Sequence, residues 1–190
     1  MRRGAGAVRT AALLVPLALL AMSGCSDDEG SSGATTASTS AESLLACPAA
    51  DPELLVDRVD EAVAAVEAEL GGAQQYFEID ASLTFVNVIV AAEGGAQAVR
   101  YRWVPGEPLD VEPMGEAQGA TFAADDVGYD PERVLSCVRT ELASSTIDLL
   151  EVLGSGSGGA VYTVFVTSAQ GGQLAVQVSA TGQVQAVDPI

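Results

Sequence analysis

The feature that most constrains the fold is a pattern that occurs twice in the chain, about 78 residues apart. Asp-Pro-Glu begins a helical pattern at Asp51 and again at Asp130. Apolar runs interrupted by a Gly-Gly pair follow each time, and the landmarks recur at offsets of about 77 to 79 residues, more consistently than chance similarity would give. The sequence therefore predicts two tandem pseudo-repeats over about 51–113 and 130–189, joined by a loop over 114–129.

Each copy is predicted to begin with a helix, because Asp is a good N-cap and Pro is favoured at the first helical position. The first helix is expected to end at Gly71-Gly72. In the second copy Ser144-Ser145-Thr146 interrupts the apolar stripe, so the helix either ends there or continues beyond it. The two stripes at helical spacing are Leu55, Val59, Ala62, Val63, Val66 and Leu70, and Leu135, Val138, Leu142, Leu149 and Val152.

Strand-like apolar runs follow both helices, and Gly-Gly pairs suit the tight turns between them. The segment 77–79 is a further short strand, echoed by Leu150-Glu151-Val152. The predicted fold class is α+β, with one helix followed by a three- or four-stranded antiparallel sheet in each copy. The two sheets can pack face to face or pair edge to edge. The predicted strands span 83–92, 97–104, 109–113, 161–168, 174–180 and 185–189.

The N-terminus predicts export and lipid attachment. Three arginines precede an apolar run over 11–22, which at about 1.5 Å per residue is too short to cross a hydrocarbon core of about 30 Å. Met-Ser-Gly-Cys at 22–25 resembles the bacterial lipobox, and the lysine-free, Ala/Gly-rich composition resembles actinobacterial proteins. The resemblance implies cleavage before Cys25 and acylation of its thiol, which would anchor the chain to the bilayer outside the cytoplasm. An ordinary signal peptide with an incidental cysteine is the alternative.

The rest of the chain divides into a tether and a globular domain. Residues 26–43 contain no large apolar side chain, which predicts a flexible segment. The expected organisation is a signal peptide over 1–24, the lipidated cysteine and tether over 25–46, and a folded domain over 47–190. With Cys25 assigned to lipid, Cys47 and Cys137 remain as a pair, and a disulfide is expected in this compartment.

Composition excludes several function classes. The chain has 26 acids against 8 arginines and contains no lysine or histidine. Because nucleic-acid binding depends on basic residues meeting phosphates, DNA and RNA are poor partners. Catalysis by Ser-His-Asp or Cys-His is excluded, as is a lysine Schiff base. No cofactor motif is present. Carboxylate chemistry remains possible: Glu78 and Asp80 share one strand face, as do Asp110 and Glu112.

Three groups of residues are candidates for binding. Arg100 and Arg102 stand two apart on one strand and either receive an anionic ligand or pair with carboxylates on a neighbouring strand. Asn87, within an apolar run, is either a satisfied buried amide or a contact for something bound. The third group is a calcium candidate formed by acids near the second helix, which the helix dipole also explains: Asp125, Asp126 and Asp130.

The function expected from these patterns is a non-enzymatic, membrane-anchored lipoprotein whose domain binds a protein or another component of the cell envelope. The alternatives are a carrier or chaperone for an apolar ligand and, less favoured, a carboxylate-based hydrolase. In architecture, the tandem units resemble PepSY-type modules and the helix-plus-meander inhibitors of secreted enzymes. No motif of those families matches residue by residue.

Overall fold

A computed structural model describes residues 47–50 and 53–190, so the predicted signal peptide, Cys25 and tether lie outside the described residues. The described chain has an α+β fold in which antiparallel sheet dominates. Helix α1 spans Val59–Leu70, preceded by a 3-10 turn at Leu55–Arg58, and α2 spans Ser136–Glu141. The strands are β1 Gln75–Ala81, β2 Val86–Ala92, β3 Gln97–Trp103, β4 Asp110–Glu116, β5 Phe122–Ala123, β6 Thr146–Gly154, β7 Ala160–Thr167, β8 Gln173–Val178 and β9 Val184–Pro189.

The strands form one sheet in the order β4-β3-β2-β1-β6-β7-β8-β9, with β5 paired to the beginning of β1. Strands β1 and β6 pair antiparallel, from Glu78 opposite Leu153 to Ala81 opposite Leu150. The groups β1–β4 and β6–β9 therefore join edge to edge, rather than packing face to face. Because both groups share one sheet, no cavity lies between two opposed sheets in the described chain.

Helix α1 follows the predicted stripe, and Val59, Ala62 and Val66 are buried against the sheet. It ends where expected, at Gly71, whose φ of 79° is left-handed and favours glycine. Leu70, however, is 40% exposed. The 3-10 geometry before α1 also changes which side chains face inward: Leu54 and Val56 are buried, whereas the predicted Leu55 is only partly so.

Helix α2 is shorter than its apolar stripe predicts. It ends at Glu141, so of the two alternatives the helix stops before Ser144, and the Leu149 and Val152 of the stripe lie in strand β6. The strand satisfies the backbone through β1 and β7 and buries Leu150 and Val152 completely or nearly so. The predicted disulfide is present: Cys47 bonds to Cys137 on α2 and closes a separation of 90 residues.

Two strand boundaries differ from prediction for local reasons. Strand β2 begins at Val86 because Ser82 forms a turn, its hydroxyl accepting hydrogen bonds from the N–H groups of Thr84 and Phe85. Leu83 lies in this turn and is 67% exposed. The predicted loop over 114–129 is also partly regular, since β4 continues to 116 and β5 holds a buried Phe122.

The sheet has two unlike faces. One face packs against the helices and carries the core, which includes Ile79, Val88 and Val164. Because successive strand residues point to opposite faces, the residues between them form the other face, which we call the open face. The strand pattern Val99-Arg100-Tyr101-Arg102-Trp103 shows this division: Tyr101 and Trp103 are buried and Arg102 is exposed.

Candidate functional site

The open face carries a row of polar side chains across five strands. Residues directly opposite each other in an antiparallel sheet share a face, so the strand register defines the row. Asp80 on β1 lies opposite Asn87 on β2 and opposite Glu151 on β6. The row continues outward to Arg102 on β3 and Thr163 on β7. Two acids therefore occupy the centre of the sheet, where the two strand groups join.

A β-bulge in β1 adds a third acid. The register shifts between Tyr76 and Glu78, which leaves Phe77 as the extra residue. Tyr76 consequently faces α1, where its hydroxyl donates to a Glu67 carboxylate oxygen at 2.8 Å. Glu78 instead points to the open face, beside Asp80.

Glu78, Asp80 and Glu151 form a compact cluster, which we call the carboxylate triad. One carboxylate oxygen from each residue lies within 4.8 Å of the others. Asp80 is only 8% exposed, whereas Glu78 and Glu151 are half-buried. Among the described residues, this is the one such grouping of three acidic or metal-ligating side chains.

Burial and mutual repulsion make the triad a strong proton acceptor. Burial raises the pKa of Glu78 to about 8, helped by a hydrogen bond with Asp80 and by the charges of Asp80 and Glu151. Burial also raises the pKa of Asp80, although Glu78, Asn87 and the Arg100 charge partly offset this. The pKa of Glu151 rises through burial and the Asp80 charge. Full ionisation of all three side chains is therefore unfavourable without a cation.

Two buried side-chain oxygens at the triad have no N–H or hydroxyl donor. Asn87 Nδ2 lies 3.5 Å from Asp80 Oδ2, at the limit of a hydrogen bond. Asp80 Oδ1 and Asn87 Oδ1 accept no hydrogen bond from an N–H or hydroxyl group of the described residues, and the hydrogen bond between Glu78 and Asp80 is one between two carboxyl groups. Buried polar atoms are nearly always paired, so each such atom calls for an explanation.

An open groove of about 520 Å³ adjoins the triad. Its lining includes the apolar side chains Phe77, Ile89, Met114 and Leu153, and Glu78 lies on its wall. The segment 116–120 runs along it between β4 and β5. This segment lies so close to β6 that a Cβ on Gly154 would be 2.8 Å from the Ala120 carbonyl oxygen.

Both arginines of the predicted anion site have partners in the fold. Arg100 forms an ion pair with Glu112, directly opposite on β4. The Arg102 guanidinium lies 4.1 Å from the centre of the Phe85 ring. They share the open face with the triad, and the Arg100 charge lowers the pKa of Asp80. This arrangement places them at the cationic end of a mainly acidic face.

The three acids near α2 that were candidates for a calcium site do not converge on one point. Asp126 Oδ2 accepts from the Ala123 N–H, which caps a short 3-10 turn. Asp130 accepts from the Glu132 N–H and pairs with Arg133 at 3.3 Å. These local roles occupy Asp126 and Asp130, and in the described part of the chain Asp125, Asp126 and Asp130 do not come together as a cation-binding group.

Sequence reasoning recognised that Glu78 and Asp80 share a face but did not connect them with Glu151. The two strands are about 70 residues apart, and their pairing follows from the edge-to-edge joining of the sheet. The likeness of Phe77-Glu78-Ile79 to Leu150-Glu151-Val152 is the signal that points to it, because the first strands after the two helices become neighbours.

Comparison with known proteins gives no relationship: no family model, no curated protein and no solved structure matches the chain. In the described residues, no helix is both long enough and apolar enough to cross a membrane.

Proposed function

We propose that the protein is an exported lipoprotein, anchored through Cys25, whose folded domain is a non-enzymatic binding module in the cell envelope. The groove beside the carboxylate triad carries this proposal. It joins an apolar floor to acidic walls on a sheet face that no helix of the described chain covers. Such a combination is typical of sites where a few polar groups orient an otherwise apolar contact.

The groove's chemistry favours a basic partner segment. Glu116 lines it, and the chain carries a net charge of −18. A positively charged protein segment would gain from electrostatic steering toward this face. Its apolar side chain would contact Phe77 and Leu153, and an adjacent Lys or Arg would approach the acids.

The same features disfavour the two alternatives. A carrier of apolar ligands needs an enclosed cavity, whereas the groove is open to solvent. A glycosidase-type hydrolase needs two carboxylates that flank the scissile bond. Glu78 and Asp80 instead project in parallel from one strand, and Glu151 stands beside them on the next. All three therefore approach a substrate from the same side.

We also propose that the two strand groups arose by duplication. The strand order runs outward from the β1–β6 pair through β2, β3 and β4 on one side and β7, β8 and β9 on the other. This mirrored order, with a helix before each group, supports a gene duplication of one helix-plus-meander unit, similar in plan to PepSY-type modules. The 6-residue length of α2 against 12 residues for α1 would then reflect divergence of the second copy.

Site-specific photo-crosslinking in intact cells tests the binding function. A photoreactive residue at Met114, which is 51% exposed beside the groove, is expected to capture one dominant protein through a basic segment. The same residue at Leu83 is the control, because it is exposed on a distant turn. Charge reversal by Glu116→Arg should reduce the yield at Met114. Equal capture from both positions, or insensitivity to that reversal, would count against the groove.

Lipid anchoring is tested separately. Cells grown with labelled fatty acid should yield a labelled protein whose mature N-terminus is Cys25, and Cys25→Ala should abolish both labelling and membrane retention. Recovery of a mature chain that keeps residues 1–24 would refute the anchor without affecting the groove.

A further inference from the structure

We propose that Glu78, Asp80 and Glu151, with the side-chain oxygen of Asn87, form a calcium-binding site on the open face. The ligands come from three adjacent strands, β1, β2 and β6, and their relative positions are set by the sheet register. The site shares Glu78 with the groove, so calcium and a basic partner would compete for that side chain, but calcium binding to the isolated protein requires no partner.

The donor set selects a hard cation. Three carboxylates and an amide offer oxygen alone, which suits calcium and magnesium. The chain has no histidine, and the thiols of Cys47 and Cys137 are joined, so a zinc-type set of nitrogen and sulfur ligands is not available in the described domain. Oxygens around one calcium ion, each about 2.3–2.6 Å from it, lie at most about 5 Å apart. The triad's carboxylate oxygens lie within 4.8 Å of one another, so one calcium ion can reach all three.

Two buried oxygens at the triad are available to a cation. Asp80 is only 8% exposed, yet its Oδ1 has no N–H or hydroxyl donor among the described residues. The Asn87 side-chain oxygen beside it is in the same condition. A divalent cation would satisfy both oxygens at once and neutralise the repulsion between Asp80 and Glu151. The half-buried Glu78 and Glu151 leave one side open, where water would complete a coordination shell of six to eight oxygens.

Titration of the EDTA-treated full chain, purified in mild detergent, with calcium chloride tests the site. We expect binding to one site by calorimetry, with a Kd between about 10 µM and 1 mM. At 10 mM calcium the melting temperature should rise by about 5 °C for a Kd of about 1 mM, and by more if binding is tighter. Asp80→Asn keeps the side-chain shape but removes the charge, and it should weaken binding at least ten-fold.

Two further variants keep the result interpretable. Glu151→Gln changes a more exposed ligand and should also weaken binding ten-fold, which covers the case in which Asp80→Asn fails to fold. Asp125→Asn is the matched control, since it removes an acid outside the triad, and it should bind as the unmodified chain does. Absence of both heat and a melting shift at 10 mM calcium would overturn the site. So would unchanged binding in Glu151→Gln, or a loss of binding in Asp125→Asn alone.

Discussion

Ionisation of Glu78 should make the protein less stable as pH rises. The pKa of this side chain is about 8 in the folded state and 4.5 in the absence of its surroundings. Between these two values the folded chain binds more protons than the unfolded chain, so the free energy of unfolding falls with rising pH. The stabilising contribution is fully present below pH 4.5 and is lost once pH passes 8. Glu78→Gln removes the effect, because the amide stays neutral at every pH.

The magnitude follows from the shift. One pKa unit corresponds to about 1.4 kcal/mol, so the whole displacement would be worth about 5 kcal/mol in a fully buried site. Glu78 is only half-buried, and solvent screening reduces this to about 1–2 kcal/mol. The pKa values of Asp80 and Glu151 are also raised, so their ionisation changes stability in the same direction, and the Arg100 charge partly offsets the rise for Asp80. Some pH dependence should therefore remain in Glu78→Gln.

Urea unfolding of the full chain in EDTA provides the assay, and Trp103, the single tryptophan and only 8% exposed, reports it by fluorescence. Glu78→Gln should match the unmodified protein at pH 4.5 and exceed its stability by about 1–2 kcal/mol at pH 8.5. Glu107→Gln, an exposed acid after β3, controls for the change in net charge. If the free energy of unfolding of Glu78→Gln and of the unmodified protein changed with pH in parallel, or if Glu78→Gln were the less stable of the two at pH 8.5, the reasoning would be refuted.

Three further predictions concern packing and covalent structure. Ile79→Ala, at a fully buried position, should cost about 2–5 kcal/mol in urea unfolding, whereas Leu83→Ala, at an exposed turn, should change stability by less than about 0.5 kcal/mol. Cys47→Ser opens a 90-residue loop and should lower the free energy of unfolding by about 4–5 kcal/mol on the chain-entropy model. Reductant should lower the melting temperature of the unmodified protein in the same way. Gly154→Ala should cost about 1–3 kcal/mol, because its Cβ would displace the Ala120 backbone, and equal stability would contradict that close approach.

Local patterns were sufficient to predict the first helix and the hairpins. The stripe from Val59 to Val66 and the glycine at 71 lie within one element, so no distant contact is needed to form them. Each hairpin is likewise specified by its own turn. The Gly171-Gly172 pair adopts the positive φ angles, 85° and 90°, that a turn between β7 and β8 requires.

Long-range pairing decided the rest. Leu149 and Val152 fit the end of a helical stripe, but alternate residues in the same segment also fit a strand. Strand β6 forms because β1 and β7 are available on its two sides, a fact that lies outside the local sequence. The triad could not be predicted for the same reason. Glu151 meets Asp80 only once β1 and β6 have paired.

The register of the β1–β6 pairing brings two acids together at the centre of the sheet, at a cost in stability. A one-residue slip of β6 would turn Glu151 into the core, so the apolar pattern excludes it. A two-residue slip would keep every side chain on its face and would place Asp80 opposite Leu153 and Glu151 opposite Ser82. That alternative separates two acids which, directly opposite each other, destabilise the sheet. The slip would also place Ile79 opposite Gly154 and Leu150 opposite Leu83 in the turn, so hydrophobic packing favours the observed register and brings the two acids together as a consequence. Local features that conflict with stability are expected at functional sites, and on this ground the centre of the open face is where a cation or a basic partner should be sought.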